Sequence, residues 1–76
     1  MRHEIPEDVT NSRLELLIDE YVRYRRDREI LKEHWFGGLS FMALAEKHDM
    51  SLTAIKDIIY RQGDKVLMRA EKREPD

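Results

Sequence analysis

The chain has 76 residues, with 14 lysines and arginines against 16 aspartates and glutamates, and no cysteine. A domain of this length buries only about 60% of the surface its unfolded chain exposes, so one small domain with a narrow stability margin is expected. The formal charge of −2 argues against holding nucleic acid by bulk positive charge, and the lack of cysteine excludes disulfides and thiolate metal sites. No apolar run approaches the roughly 20 residues that span a membrane, and no signal peptide pattern is present, so a cytoplasmic protein is expected.

Residues 1–11 hold Pro6, several acids and only Met1, Ile5 and Val9 as apolar groups, and read as a flexible or loosely docked arm. Ser12 with Glu15 makes a capping-box pattern, in which hydroxyl and carboxylate satisfy amides left free at a helix start. Leu14, Leu17, Ile18 and Tyr21 then recur on one stripe of a first helix running to about Tyr24. Asp27 is placed to cap a second helix over 28–36, with Ile30, Leu31, His34 and Trp35 inward. Neither proline nor glycine separates these two helices, so one continuous helix is the rival reading. Trp35 and Phe36 are adjacent and cannot both face the core centre: Trp35 is expected to pack inward, and Phe36 either to shield the turn at 37–39 or to join an exposed patch that suits a partner, with burial of both the expectation in so small a domain. Gly37 and Gly38 end the helix, because glycine enters the left-handed conformation without a steric cost.

Ser40 caps a third helix over 41–48, in which Phe41, Leu44, Ala45 and His48 share a face; Asp49 and Met50 make a tight turn. Ser51 caps a fourth helix from Leu52, with Ile55, Ile58 and Ile59 inward and Thr53, Lys56, Asp57 and Tyr60 outward. Gln62, Val66, Leu67 and Ala70 continue that stripe, so the helix runs through Gly63 at about 1 kcal/mol relative to alanine, or else ends there before a short helix capped by Asp64. No segment alternates with period two. The fold class is therefore all-α, a small bundle of four or five helices, with the domain at 12–70 and the charged tail at 71–76 fraying.

Residues 37–62 read as a helix-turn-helix, and such a unit is usually a DNA reader whose second helix enters the major groove. Its candidate contacts are Ser51, Leu52, Thr53, Lys56, Asp57 and Tyr60. Lys56 suits a phosphate or a guanine edge, Thr53 a hydrogen bond or a thymine methyl, and Leu52 only apolar contact, whether with DNA or with a protein. Asp57 is repelled by phosphate unless it accepts from cytosine or orients Lys56 or Arg61. Arg25, Arg26 and Arg28 form a basic cluster beside the acidic first helix. They read as a phosphate clamp, or as a solvated surface offset by pairs such as Asp19 with Arg23 at i, i+4. His3, His34 and His48 lie on separate elements and give no converging zinc set; Ser12, Ser40 and Ser51 sit at caps with no base at a telling spacing. No metal, cofactor, catalytic activity or small-molecule substrate is expected.

Arg26-Asp27-Arg28-Glu29-Ile30-Leu31, then Gly38-Leu39-Ser40-Phe41, Leu44-Ala45-Glu46, and Met50-Ser51 with Ile55-Lys56, together resemble region 4 of bacterial RNA polymerase sigma factors and the small phage- and mobile-element-associated proteins that share it. The resemblance spans roughly residues 21–67. It implies a four-helix domain whose recognition helix reads a promoter element and whose preceding helices contact RNA polymerase. His48 and Asp49 stand where that family usually has an aliphatic residue and a glycine; aspartate tolerates the left-handed conformation the turn requires. The further domains of a full sigma factor do not fit in 76 residues, so an isolated module is expected, either a small regulator or a fragment of a longer protein. Two functions follow. The first is a sequence-specific DNA-binding transcriptional regulator, acting on double-stranded DNA with a homodimer partner or RNA polymerase. The second is a protein-interaction module that keeps the scaffold without binding DNA.

Overall fold

The computed structural model describes residues 10–71, with side chains through residue 70. Residues 1–9 of the expected arm and 72–76 of the expected tail lie outside the described residues. Four helices follow in order, α1 (Asn11–Tyr21), α2 (Arg25–Trp35), α3 (Phe41–Lys47) and α4 (Leu52–Glu71), and no strand occurs among the described residues.

Helix α1 starts earlier than the capping-box pattern predicts. Thr10, not Ser12, is the N-cap, and its hydroxyl accepts from the Arg13 amide at 3.1 Å. Both residues are good caps, and the earlier one adds helix without moving the stripe of Leu14, Leu17 and Ile18, all of which are buried. Asn11, assigned to the arm, is thus the first residue of the helix.

The helix also stops at Tyr21 rather than Tyr24, because Val22 leaves in an extended conformation and turns its side chain into the core. That break makes α1 and α2 separate helices and lets α2 begin at Arg25. Asp27, predicted as its cap, instead sits inside the first turn, 4% exposed, and accepts at 3.0 Å from Gln62 Nε2 on α4. Tyr24 is the N-cap and offers no side-chain bond to the helix start. The Asp19–Arg23 pair does not form, because Arg23 lies in the extended joint beyond the helix end. Asp19 meets Lys32 of α2 at 2.8 Å instead.

Trp35 is half-buried, but Phe36 is 36% exposed, so the expectation that both aromatics are enclosed fails. Adjacent helical residues point about 100° apart, and the core lies on the Trp35 side. Gly38 takes φ +73°, and a Cβ on Gly37 would stand 2.8 Å from the Glu33 carbonyl oxygen, which accounts for both glycines.

Ser40 caps α3 through the Ala43 amide and Ser51 caps α4 through the Ala54 amide, each at 3.1 Å. Between them, Asp49 is left-handed at φ 54°. Its amide reaches the Glu46 carbonyl at 3.3 Å and the Met50 amide reaches that of Ala45 at 2.9 Å, a Schellman ending built on aspartate instead of glycine. Helix α4 runs unbroken through Gly63, which is buried, so the alternative of a break there with Asp64 as a new cap is overturned. Its inward stripe of Ile55, Ile58, Ile59, Val66, Leu67 and Ala70 meets all three other helices. Leu14, Ile18, Ile30, Leu31 and Leu44, all at 0% exposure, close the core against it. Each such side chain contributes about 1.5–3 kcal/mol by leaving water.

Candidate nucleic-acid interface

The start of α4 is held by contacts made on its inner side, which leaves its outer side open. Ser51 is the cap, so its Oγ already accepts one amide. Leu52, Thr53, Lys56, Asp57 and Tyr60 are exposed, as the helical period predicts. Lys56 is exposed, and among the described residues it makes no ion pair or hydrogen bond. Asp57 lies 3.3 Å from Arg61 one turn on, a geometry in which it orients that guanidinium. Tyr60 sets its ring edge-on to Phe41 at 6.0 Å, and Phe41 in turn lies 4.9 Å from the His34 ring. This aromatic row ties the middle of the helix face to α3 and α2.

The basic cluster occupies a different place. Arg28 directs one guanidinium nitrogen at the carbonyls of Val22 and Arg23, both at 2.8 Å, so it serves the joint after α1 by satisfying acceptors that the helix end leaves without amides. Lys65 Nζ reaches the Tyr21 carbonyl at 3.5 Å, and the Arg69 guanidinium stands 4.7 Å over the Tyr21 ring. Arg25 and Arg26 are more exposed. Arg25 pairs with Glu29 at 3.4 Å, and Arg26 lies 3.5 Å from Asp27. The ion pairs of Arg25 and Arg26 and the hydrogen bonds of Arg28 run to Glu29, Asp27, Val22 and Arg23, all outside residues 51–60. The link between the two groups is the Asp27–Gln62 bond, and Gln62 lies about 9 Å along the helix axis from Lys56. A cleft of about 710 Å³ opens at this joint, lined by Tyr24, Arg23, Arg28, Gln62 and Lys65 among others, and none of residues 51–60 borders it.

Sequence reasoning missed Glu33. Its carboxylate accepts from Lys47 Nζ at 2.6 Å and from His48 Nε2 at 2.9 Å, which fixes the proton of that imidazole on Nε2. Burial pushes the Glu33 carboxyl up, but the hydrogen bonds from Lys47 and His48, with their charges, outweigh it and hold the group below its usual range. The partners stand 14 and 15 positions away, so no local pattern in the sequence announces them. His34, placed inward by the helical period and half-buried, donates from Nδ1 to the Leu39 carbonyl at 2.8 Å.

Among the described residues no group of three or more histidines and carboxylates could hold a metal ion, and no helix is long and apolar enough to cross a membrane. Comparison with protein-family models, curated proteins and solved structures finds no match.

Proposed function

We propose that this domain is a sequence-specific DNA-binding transcriptional regulator of the sigma region 4-like type, with residues 51–60 in the major groove. The observation that carries this reading is the start of α4, a capped helix N-terminus presenting Thr53, Lys56 and Tyr60 outward beyond a four-residue turn. Helix starts also offer amides to phosphate, and Arg25 and Arg26 supply flanking charge. Arg28 contributes less, because its guanidinium is engaged at the joint. With so few cations facing one duplex, a single domain has a weak hold, and a second copy or RNA polymerase completes the binding. A protein working on chromosomal or phage DNA in this way acts in the cytoplasm, without cofactor or catalysis.

The test is selection of bound duplexes from a randomised pool, followed by affinity measurements with Thr53→Ala/Lys56→Ala. Each lost base contact costs about 1–3 kcal/mol of discrimination, so the double variant is expected to treat selected and random DNA nearly alike. Unchanged discrimination would remove this face from recognition.

A second reading has its own support. Leu52 at 39% exposure and Met42 at 70% are apolar groups on the helix-turn-helix unit, and Asp57 neutralises Arg61. Those features suit a protein-interaction module, which predicts no duplex binding even at low salt.

A further inference from the structure

Two consecutive residues near the end of α2 hold both ends of α3. At its start, the Glu33 carbonyl accepts from the Leu39 amide at 3.1 Å, and His34 Nδ1 donates to the Leu39 carbonyl at 2.8 Å. Leu39 immediately precedes the Ser40 cap. At its end, the Glu33 carboxylate takes both Lys47, the last helical residue, and His48, the C-cap. Helix α3 has 7 residues, so its ends stand about 10 Å apart, within reach of one glutamate and its neighbour. The residue after His48 is the left-handed Asp49, and two positions later Ser51 caps α4. The carboxylate therefore grips the chain where it turns toward the exposed helix. The His48 side chain is 12% exposed and that of Glu33 23%, so solvent screens this contact less than the outer pairs on α2 and α4. The hydrogen bond also gives His48 a role at the position just before the turn.

We propose that Glu33 is a positioning residue for recognition: through Lys47 and His48 it sets the direction in which α4 leaves the turn. The consequence for DNA rests on the function proposed above, whereas the consequence for the turn does not.

The experiment pairs amide hydrogen exchange, read residue by residue on the full chain, with titrations of selected and random duplex, for wild type, Glu33→Gln and Glu33→Ala. Glu33→Gln keeps the shape and one acceptor oxygen, which guards against general unfolding. Protection of the Met50, Ala54 and Ile55 amides is expected to fall about tenfold relative to that of Ile18 and Leu31, with Glu33→Ala losing more. The preference for selected over random duplex falls in the same order, while the salt dependence stays as in wild type because no phosphate contact is removed. Unchanged protection at the turn, or an equal loss at every amide, would overturn the proposal. So would a loosened turn with full discrimination. If wild type binds no duplex, the DNA reading fails by itself, and exchange at the turn alone decides whether Glu33 holds it.

Discussion

The joint between α3 and α4 and the joint between α1 and α2 solve the same problem by different means. The first is built from neighbouring residues, a Schellman ending on Asp49 and then Ser51 Oγ accepting from the Ala54 amide, with the Glu33 carboxylate as its contact from another helix. The second has no cap from a side chain at Tyr24, and its carbonyls are satisfied by Arg28 and Lys65 from outside the joint. A joint closed largely by its own residues keeps its dihedrals locally, and only the aim of the helix beyond it is left to Glu33. One closed by side chains from the next helix and from α4 depends on how those helices are placed, and it draws their cations away from other work. In this molecule the cations so engaged include Arg28, one of those placed on a DNA backbone by sequence.

Substitutions can break this contrast, beginning with the largest expected effect. Leu44→Ala, which detaches α3 and its turn from the core, is expected to cost about 2–5 kcal/mol in chemical denaturation. Gln62→Leu leaves the Asp27 carboxylate enclosed with no bond from α4, at about 2–3 kcal/mol. Adding Asp27→Leu recovers much of that loss, because removing both partners of a buried polar pair is far cheaper than removing one. Arg28→Ala is expected to cost about 1–2 kcal/mol by freeing the Val22 and Arg23 carbonyls, whereas Arg25→Ala, on an exposed surface pair, changes stability by less than about 0.5 kcal/mol. If the two arginines prove equal, the α1–α2 joint does not depend on Arg28. Asp49→Gly sharpens the other side of the comparison: the turn is kept, and stability rises by up to about 1 kcal/mol because glycine has no penalty at positive φ.

The smallest effect is the pH dependence of the Glu33 contact. Its folded carboxyl titrates lower than in the unfolded chain, whose ordinary value is 4.5. The contact therefore stabilises the fold above that ordinary value, and the stabilisation is lost as the pH falls through the lower folded one. Denaturation curves of wild type and Glu33→Gln are expected to differ near neutral pH and to approach one another in acid. A constant gap across the acid range would show that the charge of Glu33 contributes nothing.

The same contrast explains what could be read in advance. Ser40, Gly38, Asp49 and Ser51 act on amides or dihedrals within a few residues of themselves, and each was placed correctly from its neighbours alone. The outward set on α4 followed from the helical period, since Ile55, Ile58 and Ile59 had to face inward. Thr10 and Ser12 are chemically similar caps two positions apart, and nothing local separates them. The end of α1 depended on Val22 entering a core that only the folded chain creates. Asp27 looked like a cap because its preferred partner, Gln62, lies 35 positions away. Adjacency already showed that Trp35 and Phe36 could not both face the core centre, but burial of Phe36 was still expected in so small a domain, and it lies exposed because the core is on the Trp35 side. At the candidate site, Lys56 and Thr53 were legible as exposed polar residues. The engagement of Arg28 and the grip of Glu33 were not, because both depend on where other helices end.

The central claim is that the outer face of α4's first turns meets DNA. A fluorescence anisotropy titration of labelled random duplex with the full chain, at two salt concentrations, tests it most directly. The account predicts micromolar binding that weakens steeply as salt rises, and less of it in Lys56→Ala. No binding at low salt, or binding indifferent to salt and to Lys56, would contradict the claim and transfer this face to a protein partner.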